Sequence, residues 1–406
     1  MSEISAPTRD VSVARHSILD QRNAIFAYEL VDRSDGTPDM ARDVTLLGHA
    51  GMLLTSQALA ERRLLFIPCS WATLGSEALA TVDPEHTVLE VLLPSGFTPE
   101  QVLEGAQLLA SLRKRGFRLA FAHDVMGSAW RPWLAHASFL KLHFGRLPPA
   151  AIPAVIKAAR QLPPKLIACG IDDQEQHKLA SSLGIELFQG AWFSQPVKVE
   201  TRSLRPNQAI ILELIALLRR EADTAEVESL LKRDAALSFN LLRYINSGAF
   251  GLTTEVSSFR SAVMLVGMQR LLRWATVLMA SSASGAPALG HTAVVRGRLM
   301  ELLAAELLTS EQCDQAFVVG VFSLLDSMTG VPLERALDGL ALPEAVNDAL
   351  LRRQGLFEPF LSLAEACEGA NDEAFAANAD RLLLSGHQVN MAHLQALAWA
   401  EDLLAA

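Results

Sequence analysis

Residues 230–274 read LLKRDAALSFNLLRYINSGAFGLTTEVSSFRSAVMLVGMQRLLRW, and their spacing decides how the second half of the chain folds. Leu237, Leu241 and Ile245 recur at four-residue steps, with Leu230 and Leu242 broadening the stripe, which predicts a helix with one apolar face. Asn246-Ser247-Gly248 ends it, because glycine reaches the left-handed backbone a helix C-terminus uses. Gly251 marks a second turn, Ser257 and Ser258 offer N-cap oxygens, and a new helix is expected from about Phe259. Across the second half, helices are expected over 208–220, 226–245, 259–281, 292–308, 312–328 and 343–352. Gly285, Pro287 and Gly290 predict a loop over 282–290, and Thr309 with Gln312 has the spacing of a capping box.

The first half has a different rhythm. Short apolar runs at 24–30, 64–67, 88–93, 118–122, 139–144, 165–171 and 186–193 alternate with amphipathic stretches such as 99–115 and 172–183. Strand–helix alternation of this kind predicts a parallel α/β sheet or barrel. A full (β/α) barrel takes about 250 residues, so the shorter segment here implies a trimmed one.

The chain of 406 residues has room for two or three domains, and half of its residues are hydrophobic. A net charge of -10 argues against bulk binding to nucleic acid or an anionic membrane. Cys69, Cys169, Cys313 and Cys367 are scattered without a CxxC pair, which suggests reduced thiols rather than a zinc site or a disulfide framework. Residues 1–10 lack the apolar core of a signal peptide and no stretch reaches membrane-span length, so a cytoplasmic protein is expected.

The central stretch resembles the core of HDOD domains, helical relatives of the HD phosphohydrolases without their metal site. Asp234, Leu237, Arg243, Asn246, Ser247, Gly251, Leu265, Gly267 and Trp274 carry that resemblance. Structural roles compete for each: arginines such as Arg243, Arg260, Arg270 and Arg273 often pair with local carboxylates, Asn246 and Ser247 fix a turn, and Trp274 suits a core. Residues 14–20 (ARHSILD) with 26–33 (FAYELVDR) resemble the opening of EAL domains, the cyclic-di-GMP phosphodiesterases, especially the branch fused to HDOD domains. The tripeptide Glu77-Ala78-Leu79 stands in the wrong order relative to the other motifs and is a decoy. The resemblance implies an EAL-type TIM-like barrel over 11–201 and an all-helical HDOD domain over 205–402, with the junction at 202–205.

What the resemblance implies for the site is a partial match. Glu29 and Glu90 stand where the family has metal-binding glutamates, Lys141 where it has a lysine beside the attacking water, and Gln189 where it has a late glutamine. Arg33 matches a phosphate-contacting arginine, so Arg33, Glu29 and Gln189 are the candidate nucleotide contacts. Pro68, Ala122, His123, His143 and Cys169 replace carboxylates or amides of the family's pattern, and Asp172 replaces a glutamate. Two-metal hydrolysis needs several hard oxygen ligands and a proton acceptor. The expectation is therefore a bacterial signalling scaffold or adaptor that is not an enzyme, holds no metal, and binds a protein partner through the HDOD domain. Two alternatives stay open: a cyclic-di-GMP receptor without hydrolysis, and a residual phosphodiesterase using magnesium or manganese. A metal-shifted site built on His123, Asp124, His143 and Cys169 is the sharpest form of the latter, and a salt-bridged relic of Glu29, Glu90 and Lys141 is its structural rival.

Overall fold

The computed structural model describes residues 13–32, 39–55, 59, 62–194, 206–232, 267–282, 287–340, 342–369 and 372–405. Its first half closes an eight-stranded barrel in chain order. The strands are β1 Val13–Leu19, β2 Ile25–Asp32, β3 Leu64–Cys69, β4 Thr87–Val91, β5 Arg118–Ala122, β6 Phe139–His143, β7 Lys165–Cys169 and β8 Leu187–Gln189. From β2 to β8 neighbours run parallel, whereas β1 is antiparallel to both β2 and β8.

β1 is the strand that the apolar runs did not show. Its inward side carries the polar His16 and its outward side the buried Arg15, so no alternation of apolar and polar residues marks it. A tight hairpin joins it to β2. Asp20 Oδ1 accepts from the backbone N–H groups of Arg22 at 2.8 Å and Ala24 at 2.9 Å, and Asn23 takes the left-handed conformation with φ 54°.

The crossovers account for the short chain. Helices α1 Met40–Leu53, α2 Pro99–Lys114, α3 Ile152–Ala159 and α4 Gln174–Ser182 are joined by two pieces of only four residues, Trp71–Leu74 and Arg131–Leu134. The decoy tripeptide lies in a 3₁₀ turn, Glu77–Thr81, off the barrel strands. Within the barrel, Ile18, Ala27, Phe66, Val88, Ala120, Phe139, Ile167 and Leu187 form an apolar layer.

The chain divides into two compact units. One comprises residues 1–195, 285–288 and 362–406, and the other 196–284 and 289–361. The last 45 residues thus fall with the barrel, where the sequence reading placed 362–402 in the helical domain.

In the helical unit α5 Pro206–Arg219 packs beside α7 Met268–Ser281, with α6 Thr224–Lys232 following α5. α8 Pro287–Ala304 begins inside the expected loop, since proline suits the first turn of a helix. Gly290 lies within that helix, and a Cβ there would stand 2.2 Å from the Ala280 carbonyl oxygen, so the close approach requires glycine. α9 Ser310–Phe322 opens on the expected box, with Thr309 Oγ1 accepting from Gln312 N–H at 3.4 Å and Gln312 Oε1 accepting from Thr309 N–H at 3.0 Å. The expected helix over 312–328 breaks into α9 and Leu325–Thr329, and that over 343–352 into Glu344–Asn347 and a π-type turn, Asp348–Arg352. Trp274 is buried in α7, as a core residue should be. Asp234, Arg243, Asn246, Ser247 and Gly251 lie outside the described residues, as do Arg33 and the junction at 202–205.

Three further helices, α10 Glu358–Glu368, α11 Asp372–Arg381 and α12 Gly386–Ala405, end the chain. α12 lies on the outside of the β1–β2 pair, joined to it by Asn390 Oδ1, which accepts from Val13 N–H at 2.9 Å, and by Glu401 Oε1, which accepts from the Tyr28 hydroxyl at 2.6 Å. The hairpin connection leaves that face without a crossover helix, and the C-terminus supplies one.

Where α8 and α9 cross, a Cβ added at Gly320 would stand 2.5 Å from Gly297 Cα. Gly320→Ala is expected to cost about 1–3 kcal/mol through overpacking and to lower the melting temperature by several degrees. An unchanged melt by calorimetry would show that the two helices do not cross at this point.

Candidate functional site

Strand alternation carries every second residue of the barrel inward, and one step beyond the apolar layer those positions turn polar. They are His16, Glu29, Glu90, Lys141 and Gln189, together with Pro68, Ala122 and Cys169. Apart from His16, which faces Glu29 across the register of β1 and β2, the polar ones sit at or near the C-terminal ends of their strands, where (β/α) barrels carry their sites.

Lys141 joins them. Its Nζ donates to Glu29 Oε1 at 2.7 Å and to Glu90 Oε2 at 2.6 Å, and Gln189 Nε2 donates to Glu29 Oε2. Lys141 is only 1% exposed, Glu29 6% and Glu90 7%, so these contacts replace water rather than compete with it. Burial works against the lysine's charge, but the two carboxylates hold its pKa well above the usual lysine range.

The carboxylates are driven apart. Burial pushes Glu29 up, but the charge of Lys141, then that of His16 and hydrogen bonds from Glu90 and Lys141, bring it down to about 2. Burial raises Glu90 and Lys141 pulls it back, but the charge and hydrogen bond of Glu29 leave it at about 7. The two glutamates titrate as one interacting pair that holds or releases a proton near neutral pH.

The remaining positions line the same mouth without joining the ion pairs. Pro68 stands opposite Glu90 and Ala122 opposite Lys141 in the strand register. His143, opposite Cys169, is pushed down to about 4 by burial and by the charges of Lys141 and Arg146, so it is neutral at physiological pH. Burial pushes the Cys69 and Cys169 thiols far up, which makes them poor thiolate ligands. His123 opens a 3₁₀ turn with Nδ1 buried and unpartnered, its neighbour Asp124 is 61% exposed, and Asp172 is exposed. The structure therefore does not gather His123, Asp124, His143 and Cys169 into one ligand set. Among the described residues no three His, Cys, Asp or Glu side chains stand where they could hold a metal ion.

A divalent ion tests this arrangement directly. Both carboxylates are already taken up by one ammonium, and Gln189 takes the second oxygen of Glu29. In this arrangement the residues present do not fit a pair of dications.

Two site features escaped the sequence reading. His16 adds its charge to the surroundings of Glu29, which only the antiparallel register reveals. Asp43, buried in α1, accepts at Oδ2 from Ser70 N–H and Oγ and from Thr73 Oγ1 at 2.6–2.7 Å, fixing the turn after β3. In the helical unit, Arg273 pairs with Glu301 at 2.5 and 2.8 Å and lies over the Phe317 ring, the local pairing considered for that arginine.

Residues 205–327 match the HDOD domain family, so the helical part of the chain carries an HDOD domain. Along nearly its whole length the chain is similar to the curated cyclic di-GMP phosphodiesterase CdgJ of Vibrio cholerae serotype O1. The two are 26% identical over 96% of this chain and 92% of that one. It is also 24% identical to the uncharacterized protein YuxH of Bacillus subtilis, over 97% and 99% of the two chains. Among solved structures, an EAL domain protein from Listeria monocytogenes covers 48% of this chain and 95% of its own, at 16% identity and a TM-score of 0.36. The recognition of an EAL-like barrel followed by an HDOD domain stands.

The expectation that the chain is not an enzyme is corrected here. A protein 26% identical over 96% of it is a curated cyclic di-GMP phosphodiesterase, and that finding stands against the expectation. The residues that match the family's pattern are not dispersed: Glu29, Glu90 and Lys141 converge on one buried point.

The two carboxylates affect stability with opposite sign. Glu29, lowered from 4.5 to about 2, adds stability above pH 4.5 that is lost as pH falls toward 2. Glu90, raised from 4.5 to about 7, adds stability that is full below pH 4.5 and is lost as pH rises through 7. Lys141→Met leaves both carboxyls buried without their cation, a change expected to cost about 3–5 kcal/mol. The deficit should shrink between pH 8 and pH 5 as a carboxyl takes up a proton. Melting curves at the two pH values check this, and a variant that melts like the wild type at pH 8 would show that the ion pairs contribute nothing.

Proposed function

We propose that this protein acts in cyclic-di-GMP signalling by taking cyclic di-GMP at the C-terminal mouth of the barrel and hydrolysing one of its phosphodiester bonds. The observation that carries this reading is the buried Glu29–Lys141–Glu90 set at the strand ends. The near full-length likeness to CdgJ supports it.

The chemistry asked of these residues is limited. In hydrolysis water attacks phosphorus, an O–P bond forms, the bond from phosphorus to one ribose oxygen breaks, the water gives up a proton, and the departing ribose oxygen takes one up from solvent to become a hydroxyl. A group with a pKa near the working pH serves best as acceptor, and Glu90, pushed up to about 7, meets that requirement in its ionised form. Lys141 keeps Glu29 ionised and fixes Glu90, while Gln189 orients Glu29. Around this centre His143 stays neutral and adds no charge.

We further propose a location and partners for this protein. The protein is cytoplasmic, which accords with the lack of any helix among the described residues long and apolar enough to cross a membrane. It has no nucleic-acid partner, in keeping with its charge of -10. Its HDOD domain holds a protein partner, and a pull-down in which a chain ending at Thr201 keeps all binding would refute that.

Calorimetry with cyclic di-GMP, followed by chromatography of the mixture, tests the main reading. Saturable binding is expected, with linear dinucleotide appearing in proportion to protein and at least tenfold more slowly with Glu90→Gln. Binding without product at stoichiometric protein would sink hydrolysis, and absence of binding would sink the whole assignment.

A further inference from the structure

We propose that Glu401, near the C-terminus of the chain, is a positioning residue for the barrel site, acting through Tyr28 on the strand that presents Glu29. The inference rests on reading the Glu29–Lys141–Glu90 set as the functional site.

Along β2, Ala27 and Glu29 face inward, and Tyr28 between them faces outward. Tyr28 is fully buried, and its hydroxyl donates to Glu401 Oε1 at 2.6 Å over a separation of 373 residues. The same oxygen accepts from Arg63 Nε at 3.0 Å, and Arg63 Nη1 donates to the Ile25 carbonyl at 2.5 Å. Glu401 therefore holds β2 at two points, at its first residue through Arg63 and at Tyr28 directly.

The charge around this contact supports the same view. Arg15 of β1 is 5% exposed, its Nε and Nη1 find no hydrogen-bond partner, and its guanidinium lies 5.1 Å from the centre of the Tyr28 ring. The 2% exposed carboxylate of Glu401 thus pairs with the Arg63 guanidinium and accepts from the tyrosine whose ring lies beside the Arg15 guanidinium. At the far end of α12, Asn390 holds the first residue of β1. The outward residues of β1 and β2, Arg15 and Tyr28, directly precede the inward His16 and Glu29, so fixing one face of the pair fixes the other. Contacts as short as the 2.7 Å between Lys141 and Glu29 tolerate little displacement, and about 1 Å of misplacement can cost a site a hundredfold.

Full-length Glu401→Ala, Glu401→Gln and Tyr28→Phe provide the test, with two readouts. The first is amide hydrogen exchange without nucleotide. Glu401→Ala and Tyr28→Phe should speed exchange over 25–32 at least tenfold while leaving 87–91 and 139–143 unchanged. Glu401→Gln, which still offers Tyr28 an acceptor, should restore most of the protection. The second readout is affinity for cyclic di-GMP, expected to fall about tenfold in the alanine variant and to recover with glutamine. Unchanged exchange over 25–32 in both disrupting variants would overturn the proposal, and so would acceleration spread evenly through all strands. If the wild type fails to bind the nucleotide, the functional reading fails, while the exchange experiment still decides the role of Glu401.

Discussion

A lysine ammonium held out of water between two carboxylates is the constraint on which the upper half of the barrel depends. Desolvating three charged groups costs several kcal/mol for each, and only close geometry with satisfied hydrogen bonds offsets it. Lys141 meets that demand with contacts of 2.7 and 2.6 Å to residues from β2 and β4, strands that are not neighbours of β6. The ion pairs therefore reach across the barrel interior, whereas ladder hydrogen bonds join only adjacent strands. Below them lies an apolar layer with no polar atoms to satisfy, so the polar groups are confined to the mouth. The same geometry drives the two glutamates apart in acidity, Lys141 lowering the one and the neighbouring carboxyl raising the other.

Much of this was legible in the sequence. The parallel strands announced themselves as apolar runs, the capping box at Thr309 and Gln312 formed as its spacing indicated, and Glu29, Glu90, Lys141 and Gln189 do converge. What could not be read depends on partners distant along the chain. β1 was missed because its inward His16 and buried Arg15 break the alternation, and the helix that covers the strand pair comes more than 350 residues later. The helix start at Pro287 was missed because Gly290 looks like a loop residue until the backbone it crosses is known. Reading the replacements as loss of activity went wrong for a related reason. A position-by-position tally of ligands registers what is missing and says nothing of how the residues that remain are joined.

The allocation of the last 45 residues to the barrel unit also changes what the chain's order means. The HDOD match ends at 327, and the segment from residue 362 onward returns to the first strands. The whole of the helical unit is thus enclosed, in chain order, between two parts of the barrel unit.

Contact between Val13 and Asn390 spans 377 residues, and that sets a timetable for biogenesis. Contacts so remote raise the contact order of the barrel and slow its closure. On the ribosome, chains emerge from the N-terminus at about 5–20 residues per second. The β1–β2 pair therefore leaves the tunnel well before the helix that covers it exists. During that interval Arg15 and Tyr28 lie open to water, and the helical unit has time to fold before the barrel can be sealed. The carboxylate that completes the first strands is translated 373 residues after Tyr28, so the barrel reaches its final form only once that stretch has emerged.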